Sequence, residues 1–177
     1  MSILKVARMG HPVLRDRARA LDKSDIRSPL VQKLIDDMID TMHEYNGVGL
    51  AAPQVHEGLR LFVGLLDDEP GPDSDVTVVL NPEIVPVSTT MEEGWEGCLS
   101  IPDIRGMVPR HVEITLKCLD RHGKAREHRL KNFAARVAQH ETDHLDGVLF
   151  FDRMRSMATL TYLDEYTRYW VKDRDED

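Results

Sequence analysis

Apolar residues recur at helical spacing early in the chain, at Val31, Leu34, Ile35, Met38, Ile39 and Met42. A helix over about Pro29–Glu44 would bury that stripe. Ser28 supplies an N-cap, Pro29 suits the first helical position, and Asn46-Gly47 ends the run. The period then changes. Leu61 to Leu66 and Val76 to Leu80 are continuous apolar runs of strand length, and Glu83 to Val87 reads as a further strand whose Pro86 places it near an edge. Val112, Ile114, Leu116 and Cys118 alternate with Glu113, Thr115 and Lys117, the pattern of a strand with one wet face. Asp120-Arg121-His122-Gly123-Lys124 forms a hairpin turn returning through Arg126 to Leu130.

A second helix is expected from Asn132, as its cap, to about Leu145, with Gly147 as its stop. A third, about Met157 to Trp170, follows from the spacing of Leu160, Leu163, Tyr166 and Trp170. Helices at both ends of a largely antiparallel or mixed sheet make the fold α+β. No repeat, linker or composition step divides it. Residues 1–171 are expected to form a single domain, and the charged run 172–177 to fray.

Composition narrows the partners. The 177 residues carry 23 Lys plus Arg against 31 Asp plus Glu, a net charge of −8. An acidic chain does not offer DNA or an anionic membrane the basic face they require. The apolar run after Met1 is too short for a signal peptide, and no stretch reaches transmembrane length, so a cytoplasmic protein is expected. Two cysteines, Cys98 and Cys118, lie far apart without a C-x-x-C, which fits a reducing compartment.

The chemistry begins at His140-Glu141-Thr142-Asp143-His144. Residues four apart share a helix face, so both imidazoles can grip one ion from the same side, with Phe133 and Val137 on that face. Glu141 is placed to take a proton from water at the ion and return it to a leaving group. A catalytic ion needs a third protein ligand and an open position. The metzincin extension would put a third histidine where Phe150 stands, which excludes it. Glu165, on the expected third helix, and Cys98, in Glu96-Gly97-Cys98-Leu99-Ser100, both remain candidates. Cys118 reads as a small buried hydrophobe on its strand, and Gly97 beside Cys98 permits close approach. His11, His43, His56, His111, His122 and His128 show no ligand spacing and read as surface or loop residues.

Three segments together resemble the motifs of peptide deformylases, in that family's order and spacing. They are Gly47-Val48-Gly49-Leu50-Ala51-Ala52-Pro53-Gln54, Glu96-Gly97-Cys98-Leu99-Ser100 and Gln139-His140-Glu141-Thr142-Asp143-His144-Leu145. The flanks His11-Pro12-Val13-Leu14-Arg15 and Ile101-Pro102 through Arg105-Gly106 to Val108-Pro109-Arg110 extend the likeness over about residues 3 to 155. The resemblance implies that Cys98, His140 and His144 hold one divalent ion, natively Fe²⁺, with Zn²⁺, Ni²⁺ or Co²⁺ as substitutes. It implies Glu141 as general base and acid, and the Gln54 amide with the Leu99 N–H as donors to the oxygen of the tetrahedral intermediate. The implied substrate is the N-formyl group on the initiator methionine of new proteins, with formate released. The implied setting is bacterial, with transient ribosome association.

Gly47 and Gly49 leave room for a peptide backbone to pair beside them. Val48, Gly49, Gly97, Phe133 and Val137 are candidate substrate contacts, the apolar ones for the methionine side chain. Arg105 is expected to pair with Glu96 and brace the cysteine loop. Arg136 and Trp95 depart from the residues usual in this family, which bears on pocket shape and polarity.

Overall fold

Continuous apolar runs arise where both faces of a strand are covered, and that is how the centre of this fold is built. In the computed structural model, which describes residues 2–71 and 74–171, helix α1 (Lys23–Arg27) precedes α2 (Pro29–Glu44). Ser28 caps α2 by accepting from the Leu30 N–H. The chain then lays down β1 (Gly49–Ala51), β2 (Leu61–Leu65), β3 (Val76–Pro86), β4 (Met91–Cys98), β5 (Ile101–His111), β6 (Glu113–Leu119) and β7 (Ala125–Lys131). Helix α3 (Asn132–Leu145), the short strand β8 (Thr161–Tyr162) and α4 (Leu163–Tyr169) complete it. One antiparallel sheet has the order β1-β2-β3-β6-β7 and a second β4-β5-β8, as the α+β expectation requires.

The larger sheet is packed on both faces. Leu50, Leu61, Val63 and Leu80 meet Ile35, Met38 and Met42 of α2. Their chain neighbours Ala51, Phe62 and Val79 point the other way and join Ile114 and Leu116 against Ala134, Ala135, Ala138 and Leu145 of α3. The small alanines let α3 lie close to the sheet, which puts its HExxH segment at the β1 edge. Burying a side chain such as Phe62 contributes about 1.5–3 kcal/mol. A third cluster of Leu14, Ile101, Val108, Leu149 and Phe150 fastens the smaller sheet and includes Cys98.

Several expectations are corrected. The two strands read on either side of Asn81-Pro82 are one strand, β3. A register shift between Leu80 and Glu83 absorbs the proline, and Asn81, at φ 50°, exchanges two hydrogen bonds with the backbone of Leu21. Beyond the shift β3 pairs only with β6, so Pro86 does lie where one side of the strand is free. Asn132 is not a side-chain cap: it sits in the helix's first turn at φ 44°, and its N–H donates to the Val112 carbonyl. The helix expected over 157–170 breaks into a 3₁₀ turn (Met157–Thr159), β8 and the shorter α4, because Thr161 and Tyr162 pair with Arg105 and Ile104. Strands β4 and β5 carry no alternation that spacing reveals. Gly147 stops α3 as expected, at φ 73°, with the Arg15 backbone packed where a Cβ would project. The tail at 172–177 lies outside the described residues.

Candidate active site

The site is assembled from β1 and the turn after it, the β4–β5 hairpin, and α3. After β1 the chain makes a 3₁₀ turn over Ala52–Val55, and buried Gln54 accepts at Oε1 from the Ala51 N–H (2.8 Å). That bond fixes the amide orientation, so Nε2 points its protons at Ser100 Oγ (3.2 Å) and Cys98 Sγ (3.5 Å). Cys98 pairs with Ile101 across the tight turn Leu99-Ser100, which holds the thiol at the end of β4.

On α3, the His140 and His144 rings stand 5.0 Å apart, near-perpendicular. His144 Nε2 is 3.2 Å from Cys98 Sγ, and the ligand atoms of Cys98, His140 and His144 all lie within 4.8 Å of one another. Glu165, the rival third ligand, is on α4 paired with Arg168 and is not in this cluster. Burial opposes ionisation of Cys98, but the charges and hydrogen bonds of His144 and His140 pull its thiol well below the usual range. A thiolate with two imidazoles suits a borderline ion such as Zn²⁺ or Fe²⁺, so the donor set fits a bound divalent metal.

The two glutamates of the site live in opposite surroundings. Glu96 accepts Arg110 in a two-point grip (2.9 and 3.0 Å), Arg136 (2.9 Å) and His140 Nδ1 (2.9 Å). Burial works against its charge, but His140 and Arg110 hold its carboxyl far below the ordinary value. Because Glu96 engages Nδ1, His140 keeps Nε2 for a ligand. Arg110 continues the chain of charges to Asp143 (2.6 Å), which Arg153 also grips (2.7 Å). Glu141, by contrast, is 4 % exposed, and its Oε2 has no hydrogen-bond partner among the described residues. Burial pushes its carboxyl up to about 7 against the opposing charges of His140 and His144. His144 Nδ1 is likewise buried without a partner.

These groups open onto a cavity of about 710 Å³ whose lining includes Val48, Gly49, Gly97, Leu99, Phe133 and Val137. Thus every expected substrate contact reaches one space. The brace differs from expectation: Arg105 does not pair with Glu96 but donates to the Ile104 carbonyl and covers Gly97, where a Cβ would lie 2.8 Å from its Nε. Arg110 and Arg136 hold Glu96 instead. Arg136 also donates to the carbonyls of Glu92 (2.8 Å) and Val108 (2.7 Å), in space left by Gly94. Trp95 packs edge-on to Tyr166 (4.9 Å), walling the cavity from the α4 side. Of the histidines set aside, His11 and His56 meet edge-on at 4.7 Å on the surface, away from the cluster. Arg110, Arg136 and Asp143 are parts that spacing did not reveal, since each acts through partners distant in the chain.

An HExxH helix, a nearby thiolate, an unpartnered buried glutamate and an oriented amide around one cavity define the class of metal-dependent hydrolases. The comparisons place the chain within that class. The model of the polypeptide deformylase family matches residues 3–159, and the chain belongs to that family. It is 43% identical over 175 residues to peptide deformylase 2 of Nostoc sp., covering 97% of each chain. It is 40% identical to peptide deformylase 1 of Nitrosomonas europaea, covering 92% of this chain and 93% of that one. Among solved structures it resembles peptide deformylase from Thermotoga maritima (TM-score 0.80, 39% identity, 88% of this chain and 100% of the other). It also resembles the Met-Ala-Ser-bound class I type b enzyme from Acinetobacter baumannii (TM-score 0.79, 39% identity, 86% and 99%). The family implies one divalent metal ion, and no helix among the described residues is long and apolar enough to cross a membrane.

Proposed function

We propose that this chain hydrolyses the N-formyl group from the initiator formyl-methionine of newly made proteins, releasing formate. The observation that carries the reading is the convergence of Cys98, His140 and His144 beside the unpartnered carboxylate of Glu141. The tripeptide held by the Acinetobacter baumannii relative supports a Met-first substrate.

A divalent ion held by Cys98, His140 and His144 would supply Lewis acidity and a nucleophile competent at neutral pH. The chain does the rest. Glu141 accepts the proton of the attacking water as its oxygen adds to the formyl carbon, and a carboxyl titrating near neutrality suits that exchange. Gln54 Nε2 and the Leu99 N–H donate to the oxygen of the tetrahedral species; one such donor is worth about 3 kcal/mol. Glu141 then hands its proton to the nitrogen as the C–N bond breaks, leaving formate and a free amine. Val48, Phe133 and Val137 receive the methionine side chain, and the backbone beside Gly49 and Gly97 admits the peptide.

Fe²⁺ is the proposed native ion, with Zn²⁺, Ni²⁺ or Co²⁺ able to replace it, in a single catalytic domain over 1–171. An Fe²⁺–thiolate is oxidation-prone, so activity of the iron form should decay in air. The bacterial origin of the relatives supports a bacterial cytoplasmic setting, where transient contact with the ribosome would bring nascent chains. The test is formate release from formyl-Met-Ala-Ser by anaerobically purified protein of measured metal content. Glu141→Gln should lower kcat by about 10²–10⁴-fold while the ion stays bound. Unchanged kcat in that variant would refute the assigned role.

A further inference from the structure

The rim of the cavity carries a charge opposite to that of the molecule. Lys5, Arg8 and Arg105 line it, Lys5 and Arg8 exposed and Arg105 half-buried, in a protein of net charge −8. Arg15, Arg17 and Arg19, further along the same segment, are each held by a carboxylate (Asp152, Asp146 and Asp25). Lys5, Arg8 and Arg105 form no ion pair among the described residues. The acids that share the lining are Asp103, exposed at the rim, and the buried pair Glu96 and Glu141.

The placement of these cations is built. The Ala7 N–H donates to the Gln54 carbonyl (2.7 Å) and the Met9 N–H to the Ser100 carbonyl (2.8 Å), so the chain around Arg8 is strapped across the two residues that touch the thiol's neighbourhood. Ala7 is buried beneath the strap while Arg8 is exposed above it. Arg105 lies over the Gly97 backbone and lines the same cavity. A peptide with its formyl end at the buried cluster must leave by this rim. An extended chain advances about 3.3 Å per residue, so the residues that follow the methionine run along the cavity lining these cations share.

We infer that Lys5, Arg8 and Arg105 form a cationic exit that selects peptides with acidic side chains at the positions following formyl-methionine. The inference rests on the deformylase reading. Fixed charge at a cleft raises the local concentration and on-rate of oppositely charged ligands, and the effect is screened by salt.

The experiment compares kcat/KM of the metal-loaded enzyme on three amidated peptides, formyl-Met-Ala-Glu, formyl-Met-Ala-Gln and formyl-Met-Ala-Lys, at low and high ionic strength. The Glu peptide should exceed the Lys peptide by about tenfold at low salt, with the ratio falling towards one at high salt. Lys5→Glu with Arg8→Glu should invert the ratio, and the milder Lys5→Gln with Arg8→Gln should shrink it severalfold, leaving the part due to Arg105. Equal rates for the Glu and Lys peptides while the Gln peptide is cleaved would overturn the inference and leave the deformylase reading standing. A ratio that survives undiminished in both variant pairs would overturn the assignment to Lys5 and Arg8. A Gln peptide left intact would overturn the deformylase reading and the inference with it.

Discussion

Gly49→Ala is the smallest change that reaches the proton-carrying group. A Cβ built on Gly49 would lie 2.7 Å from Cδ and 2.8 Å from Cγ of Glu141, with a carboxylate oxygen closer still. Carbon atoms in comfortable contact stand about 3.5–4.0 Å apart, so the glutamate must retreat by roughly 0.7–1.3 Å. Rotating only its end does not suffice, because Cγ is itself in the way, and Glu141 is buried on a helix packed against the sheet. A displacement of about 1 Å at a catalytic group costs about 10²-fold, equivalent to about 2.7 kcal/mol. Gly49 has no positive φ, so alanine brings no backbone strain there. The expected result is kcat/KM on formyl-Met-Ala-Ser lowered about a hundredfold, with metal content preserved. Pairing it with Glu141→Asp, which withdraws the carboxylate by one methylene, should recover thermal stability but not rate. Activity within threefold of the parent would show that Glu141 does not work from the position it occupies here.

Other outcomes follow from the same geometry. Arg110→Met strands Glu96 and Asp143, both buried, and should cost about 3–5 kcal/mol in urea unfolding and weaken metal affinity about 10–100-fold; a loss under 1 kcal/mol would mean that Arg136 and Arg153 suffice. Chelation should lower Tm and open Cys98 to alkylation, since a bound ion stabilises only the folded state. Cys118 should stay slow at pH 8, because burial pushes its thiol up to about 11 and leaves only about 0.1% as thiolate; equal labelling of both cysteines, read by peptide mapping, would contradict this. Asp25, held down to about 2 chiefly by its hydrogen bond from Arg19, contributes stability that is present above the ordinary carboxylate range and lost as pH falls through about 2. NMR titration should show that low midpoint, and Arg19→Ala should raise it.

What could be read from sequence was what has a short period. The HExxH segment and α2 declare themselves by spacing, as does the alternating β6. Spacing left Cys98 and Glu165 both open as the third ligand, and only the family motifs separated them. Strands β4 and β5 carry Cys98 and Glu96, yet their alternation is spoiled by the residues the site requires. Gly94 makes room for Arg136, Gly97 for Arg105 and Gly106 for Met154, while Pro102 and Pro109 interrupt the run. Arg105 is the expected brace because a ligand-bearing loop needs outer support. Arg110 takes the place because Gly106 pairs with Glu96 across the hairpin and Arg110, four residues on and opposite Glu92, shares its buried face, whereas Arg105, one residue away, points to the other.

The contrast between Glu96 and Glu141 shows why the wider network matters to the chemistry. A carboxylate gripped by Arg110, Arg136 and His140 stays ionised and can only orient its neighbours. A base must instead be free to gain and lose a proton, which requires that nothing else compete for its oxygen. Among the described residues Glu141 Oε2 has no protein partner, which leaves it open to the water it deprotonates. The cations nearest the helix are committed elsewhere. Gly94 gives the Arg136 guanidinium its space beside β4 and so keeps it on Glu96, while burial is what pushes the Glu141 carboxyl up to about 7.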